Sequence, residues 1–262
     1  MLKRVCLLLK KDIPDLKKDI FFPAIPVTEA TPDCLAITDS RNILSQCRLK
    51  EIPVLFVSGD SSFTDGADYV TEDIVSCDYP YLNLVYCRQK NLPLTILETS
   101  RTLLREMTVE DLPELYDIYE DAEIKKYIEP LYPYEEELAY TRDYIKNVYG
   151  ILGYGLWLVT EKNTGKIMGR ACINLREING ETVPELGYLL GREYRGRGVA
   201  TEVCSSIVDY AFRELLLPQL NLMTEEENTA SVRLAKKLKF TLTGDFMQDG
   251  RRLLVFNRKN FR

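Results

Sequence analysis

The strongest constraint on the fold is a change of period in the second half of the chain. Val199, Val203, Ile207, Ala211 and Leu215 recur every fourth residue, flanked by Val208 and Phe212, which is the spacing of an amphipathic helix. Before that helix come three strand-like runs: "GLWLVTE", "KIMGRACINLRE" and "ETVPELGYLLG". The turns "KNTGK" and Asn179–Gly180 separate them, so they read as an antiparallel meander. The meander feeds the helix through "REYRGRGVATE", which crowds two glycines and three arginines at the helix entrance.

A cationic entrance is unexpected in a chain of net charge -6. The overall acidity argues against nucleic acid as a partner, and a local basic cluster points instead to a small anion. The hydrophobic fraction of 45% suffices for a packed core. No apolar run reaches membrane length, and Val5–Leu9 is too short for a signal segment. Seven cysteines fall at 6, 34, 47, 77, 87, 172 and 204 without a C-x-x-C pair, and histidine is absent. We therefore expect no metal site, reduced core cysteines and a cytoplasmic protein. Without histidine, Ser-His-Asp and Cys-His hydrolysis is excluded. An acid or base near neutral pH must be a perturbed carboxylate, Cys, Tyr, Lys or a held water.

At about 150 residues per domain, 262 residues suggest one large domain or two modest ones. In the first part, strand-like Val5–Leu9, Cys34–Thr38, Val54–Val57, Asp68–Val70 and Leu94–Leu97 alternate with helical Arg41–Lys50 and Tyr81–Gln89. That alternation implies a small parallel α/β unit. A boundary near Ser100 gives two domains, 1–99 and 100–262. The second opens with a strand at Thr102–Arg105, and Thr108 with Asp111 marks a helix start. A second helix fits "YEEELAYTRDYIKNVYG", a strand Gln219–Thr224, a further helix Thr229–Leu238, and a hairpin turning at Asp249–Gly250 closes the chain.

Glycines let a helix N-terminus approach an anion closely, and its unpaired amides and dipole favour negative charge. The stretch therefore reads as a phosphate or pyrophosphate site, with a plain glycine cap among solvated arginines as the alternative. A dinucleotide fingerprint would need glycine where Thr201 stands, and a P-loop would need Lys and Ser/Thr where Arg197 and Gly198 stand.

Arg195-x-x-Gly198-x-Ala200 has the Gln/Arg-x-x-Gly-x-Gly/Ala form that marks acetyl-CoA binding in the GNAT N-acetyltransferases, and "ENTASVRLAKKLKF" resembles that family's downstream pattern, with Asn228, Ser231, Leu238 and Phe240 in register. The wording "ELGYLL…YRGRGVATE" is most similar to the group acting on ribosomal-protein N-termini, and the resemblance covers about residues 101–262. It implies a mixed, mostly antiparallel sheet flanked by helices, preceded here by the small parallel-sheet α/β domain. It also implies acetyl-CoA as cosubstrate, no metal, and transfer of acetyl to a primary amine, either a small molecule or a protein N-terminus. A homodimer is the assembly to test.

By that resemblance, backbone amides of Arg197, Gly198, Val199 and Ala200, with Gly196 in the same turn, hold the pyrophosphate, and Arg192 and Arg195 flank it. Tyr188, Leu189 and Leu190 lie where strand amides pair with the pantetheine arm, and Asn228 contacts that arm or caps its helix. Glu185 is the candidate base, commonly acting through water; otherwise it is a cross-strand carboxylate. An α-amine, with a pKa of about 8, needs less help from such a base than a lysine-like amine at about 10.4. The tyrosine that many members place seven residues after the asparagine is Ala235 here. Ser231 is then the candidate proton donor, with solvent as the alternative. Lys239 replaces the glycine that usually precedes Phe240. Ala235 and Lys239 motivate the rival reading, a domain that binds acetyl-CoA as a sensor or scaffold without turnover. Trp157 reads as core, with a place lining the acceptor pocket as the alternative. "YIEPLYPYEEELAY" lies where the family shapes its acceptor site; its tyrosines and glutamates suit a cationic amine or make a solvated loop.

In the first domain, "LAITDSRNILSQCRLKEIPVLFV" faintly resembles haloacid-dehalogenase-type phosphatases. No D-x-D nucleophile follows the first strand, so phosphoryl transfer lacks its covalent step. Asp39 reads as a helix N-cap, and the domain as a silent docking or regulatory module.

Overall fold

The computed structural model describes residues 2–9, 31–59, 66–149, 154–178 and 180–260. They form two compact units, Met1–Leu94 and Thr95–Arg262.

In the first unit, β1 (Val5–Leu8), β2 (Leu35–Thr38), α1 (Arg41–Leu49), β3 (Val54–Val57), β4 (Val70–Thr71) and α2 (Tyr79–Gln89) follow in turn. The four strands are parallel, in the order β1-β2-β3-β4. Every residue of β2 is buried, which suits a central parallel strand. Cys6, Ala36, Leu44, Cys47 and Phe56 form one core cluster. Asp39 is not the cap of α1. Ser40 holds that position without a side-chain cap bond, and its amide donates to the Thr38 hydroxyl at 3.0 Å.

The second unit contains β5 (Thr95–Glu98), β6 (Thr102–Glu106), α3 (Leu112–Tyr119), α4 (Ala122–Tyr127), α5 (Tyr134–Tyr144), β7 (Leu156–Glu161), β8 (Ile167–Ile178), β9 (Glu181–Leu190), α6 (Val199–Arg213), β10 (Gln219–Glu225), α7 (Thr229–Lys237), β11 (Thr241–Gln248) and β12 (Arg251–Lys259). Its sheet runs β11-β12-β10-β9-β8-β7-β6-β5. All neighbours are antiparallel except β9 and β10. The Leu94–Leu97 run, read from the sequence as part of the first domain, falls differently: Thr95–Glu98 pairs antiparallel with β6. A strand joins the sheet that completes its hydrogen bonds, and local composition does not reveal which sheet that is. The pairing of β8 with β9 ends at Ile178 opposite Glu181; the turn expected at Asn179–Gly180 falls in part outside the described residues, since Asn179 is not among them.

The amphipathic stripe of α6 packs Val203, Ile207 and Ala211 against Leu104, Trp157, Ile173 and Leu186 of the sheet. The other face carries Leu158 and Ile167 against Leu112 and Leu115. Trp157 is fully buried and meets Tyr210 edge-on, ring centres 6.0 Å apart. All seven cysteines are buried, and none forms a disulfide among the described residues. No helix among the described residues is long and apolar enough to cross a membrane.

One irregularity positions everything that follows. β9 pairs with β10 at a single register point, Glu185 opposite Asn221. Beyond it β9 keeps only β8, while β10 pairs with β12 along its length. The sheet opens between β9 and β10 from Glu185 onward.

Candidate active site

The opening forms part of a cleft of about 1000 Å³, floored by Gly187–Leu190 and walled by Gly198, Ala200, Asn228 and Ser231. After β9 the chain makes one tight turn, Arg192–Tyr194, then passes Gly196 and Gly198 at φ 71° and 78°. A side chain is strained at such angles. Gly198 is the N-cap of the 15-residue α6 and has no side chain to cap it. The first amides of α6 therefore have no intrahelical partner and sit at the positive end of its dipole.

A clamp that the sequence did not suggest holds this loop. From the β5–β6 turn, the Arg101 guanidinium reaches Glu202 on α6 (Nε to Oε2 2.7 Å), and another of its nitrogens donates to the Arg197 carbonyl at 2.9 Å. The Arg101 amide and the Ser100 hydroxyl also donate to Glu202, at 2.9 and 2.8 Å. Burial pushes the Glu202 carboxyl up, but hydrogen bonds from Thr99, Ser100 and Arg101 outweigh it and hold the group near about 2.

The expected flanking cations divide. Arg195 lines the cleft, but its Nε donates to the Leu190 carbonyl at 2.8 Å and another nitrogen faces Asp121 at 3.4 Å. It pins the end of β9 to the start of α4. Arg192 and Arg197 are exposed and do not line the cleft; Arg197 contributes its backbone. Helix α4 itself was missed, because its six residues bury only Ile124 and carry no apolar period.

The amides of β9 divide too. Gly191 N donates to Met168 O at 2.8 Å, toward β8. By strand alternation Leu189 N faces the same way, and Tyr188 N and Leu190 N face the opening. Of the three amides, those of Tyr188 and Leu190 face the opening and that of Leu189 belongs to the ladder.

The Tyr188 side chain is a further member of the site, one that sequence reasoning used only for its backbone. Its hydroxyl lies 3.0 Å from Ser231 Oγ. Burial pushes the phenol up to about 12, against the opposing hydrogen bond with Ser231. Asn228 caps α7, its side-chain oxygen accepting from Ser231 N at 3.2 Å, and this fixes Ser231 in the first turn. Ala235 is fully buried in the core. Lys239 adopts φ 63°, and the Lys239→Lys236 and Phe240→Ala235 backbone bonds complete the helix end a glycine would normally make.

On the opposite face of β9, Glu185 is 8% exposed and Arg176 Nε donates to it at 2.5 Å. Arg176 also donates to the Gln248 side chain at 2.7 Å, tying the carboxylate to the β11–β12 hairpin. Burial pushes the Glu185 carboxyl up, and Arg176 pulls part of that back. A second cleft of about 1030 Å³, lined by Tyr140, Tyr144, Tyr154 and Met247, shares Asn174, Arg176, Glu185 and Gln248 with the first. Glu185 stands where the two meet. The tyrosines form a chain: Tyr132–Tyr140, Tyr140–Tyr144 and Tyr144–Tyr149 have ring centres 5.9, 5.8 and 5.2 Å apart. Of the glutamates in that segment, Glu137 is buried and accepts from Tyr132 N at 3.1 Å. Among the described residues no cluster of three or more His, Cys, Asp or Glu could hold a metal.

The sequence model of the GNAT acetyltransferase domain matches residues 101–241. The uncharacterised N-acetyltransferase p20 of Bacillus licheniformis is 32% identical over 152 residues, 56% of this chain and 83% of that protein. An acetyltransferase of Agrobacterium tumefaciens aligns with TM-score 0.52 and 26% identity over 62% of this chain and 92% of its own. The ribosomal L7/L12 α-N-protein acetyltransferase RimL, solved with coenzyme A, aligns with TM-score 0.53 over 63% of this chain and 98% of its own; at 18% identity this shows the fold.

Proposed function

Because the chain belongs to the GNAT acetyltransferases, we propose that its second unit transfers acetyl from acetyl-CoA to a primary amine by direct attack. One observation carries the reading: a buried carboxylate stands where a cleft running to an open helix N-terminus meets a second, aromatic-lined cleft. The residues fit the cosubstrate. Positive-φ glycines, uncapped α6 amides and the outward amides of Tyr188 and Leu190 offer donors to phosphates and to an amide-bearing arm.

Acetyl-CoA supplies the activated acyl group. Glu185, made more basic by burial, takes the amine's proton directly or through a water, and Arg176 and Gln248 hold it in place. The Ser231–Tyr188 hydroxyl pair hydrogen-bonds the leaving thiolate and relays it a proton from solvent, so that both hydroxyls end as they began, a task for which Ala235 has no hydroxyl. Both relatives that support this reading by name are acetyltransferases. The first unit we assign a non-catalytic role in a cytoplasmic protein.

The second reading, a sensor that binds acetyl-CoA without turnover, draws on Ala235 and on the ion pair that partly neutralises Glu185. Thiol release measured with acetyl-CoA and an amine panel separates them. Turnover on any amine supports transfer; tight cosubstrate binding with none supports the sensor.

A further inference from the structure

Arg170 lies on β8 opposite Leu189 and is only 6% exposed. A buried guanidinium is stable only where its charge and its N–H groups are answered. Here they are half answered. One nitrogen donates to the Tyr119 hydroxyl at 3.2 Å, another faces the Met107 sulfur at 3.4 Å, and the Tyr119 ring centre is 5.9 Å away. These partners are neutral. Its Nε, also buried, has no hydrogen-bond partner.

The other arginines of this face are matched. Arg105 is paired with Asp111 at 2.7 Å and Arg176 with Glu185 at 2.5 Å. Among the described residues no carboxylate forms an ion pair with Arg170, whose hydrogen-bond partners are Tyr119 and Met107. Nor is it walled off, since it lines the same cleft as Glu185 and Gly187. Arg170, Cys172, Asn174 and Arg176 share one face of β8, with Asn174 opposite Glu185. From Asn174 to Arg170 the strand rises about 13 Å.

We propose that Arg170 receives a carboxylate of the acceptor, so that the acetylated amine belongs to a molecule that also carries an acid. This rests on the transfer reading above and narrows its substrate class. An arginine that has no ion-paired acid is matched by a singly charged anion, and a planar guanidinium at the wall of the cleft suits a carboxylate. The run of strand between Glu185 and Arg170 separates the two ends of such an acceptor.

Matched pairs of graded length, reaching that distance, test this on the full chain: 8-aminooctanoate against heptylamine, 10-aminodecanoate against nonylamine, 12-aminododecanoate against undecylamine. Thermal unfolding in the presence of CoA reads binding without turnover, and thiol release reads kcat/KM. In the wild type, at least one acid-bearing member should raise Tm where its decarboxylated partner does not, and be turned over about tenfold or more faster, the scale of a charge-assisted hydrogen bond. Arg170→Met should raise the Tm of the unliganded protein and erase both differences, while Arg170→Lys keeps part of them. Equal behaviour within every pair in the wild type overturns the proposal, whether or not the variants fold. So does an Arg170→Met protein that is less stable and still discriminates. Discrimination in binding without turnover of any amine would sustain the anion site and defeat the transfer reading; turnover without discrimination would do the reverse.

Discussion

On the proposed cosubstrate side of Glu185 the groups open to a ligand are backbone amides from one continuous stretch, residues 188–200, aimed by two glycines and a helix end. On the proposed acceptor side they are side chains gathered from α3, α5, β8, β9 and β11. Backbone donors are the same whatever the residue, so the first side is specified by where side chains are absent. The second depends on which charges meet: Arg176 finds Glu185, and Arg170 finds only neutral hydrogen-bond partners. The cosubstrate side is therefore expected to fail by backbone obstruction and the acceptor side by loss of a single charge.

The largest expected effect breaks the cosubstrate side alone. Gly198→Trp forces a side chain onto a backbone at φ 78° and into the space a phosphate needs. Acetyl-CoA binding, followed by calorimetry, should disappear while the protein stays folded. Retained binding would remove the helix N-terminus from the site.

Next comes Glu185→Gln, which breaks the chemistry where the two sides meet. We expect kcat/KM to fall by roughly 10²–10⁴ with acetyl-CoA affinity unchanged. Because burial raises this carboxyl and Arg176 lowers it, the acid limb of the wild-type pH profile should lie above the usual carboxylate range, and Arg176→Gln should move it higher still. A limb that stays put in Arg176→Gln would mean another group titrates there.

Arg101→Ala is expected to cost less, since it removes positioning rather than contact. The KM for acetyl-CoA should rise about tenfold, in line with the loss of a charge-assisted hydrogen bond, with kcat held. Glu202, held near about 2 against an ordinary 4.5, contributes stability that is present above pH 4.5 and lost as pH falls toward 2. Acid unfolding followed by circular dichroism should therefore begin at higher pH in Arg101→Ala. Identical acid transitions would show that the clamp does not hold the loop.

The smallest effect tests the helix end below Ser231. Lys239→Gly relieves a left-handed residue and should stabilise by about 0.5–1 kcal/mol in denaturant unfolding without changing kcat. Destabilisation would mean that the lysine side chain outweighs its backbone strain.

Much of the architecture was legible because it depends on local pattern. The period-four run of α6, the meander, the capping box at Thr108–Asp111 and the Gly-Arg loop are each written in neighbouring residues. Glu185 and Ser231 could be singled out by motif, and the structure sets one on each face of the opening, where Ser231 meets Tyr188. The sheet that claims Thr95–Glu98, the side of β9 to which Leu189 N turns and the capture of Arg195 by Asp121 could not be read, because each is decided by a partner far away in the chain.

By itself the sequence determined the alternation of elements, the exclusion of histidine chemistry and a glycine-bearing entrance to α6, because period, composition and glycine are local properties. Only the tertiary structure decided which charges are answered. Arg101 and Glu202 stand 101 positions apart and Arg105 and Asp111 only 6, yet both pairs close. Arg170, among the same residue types, is left buried without an acid, since ion pairing is settled by distance in space and by exclusion of water.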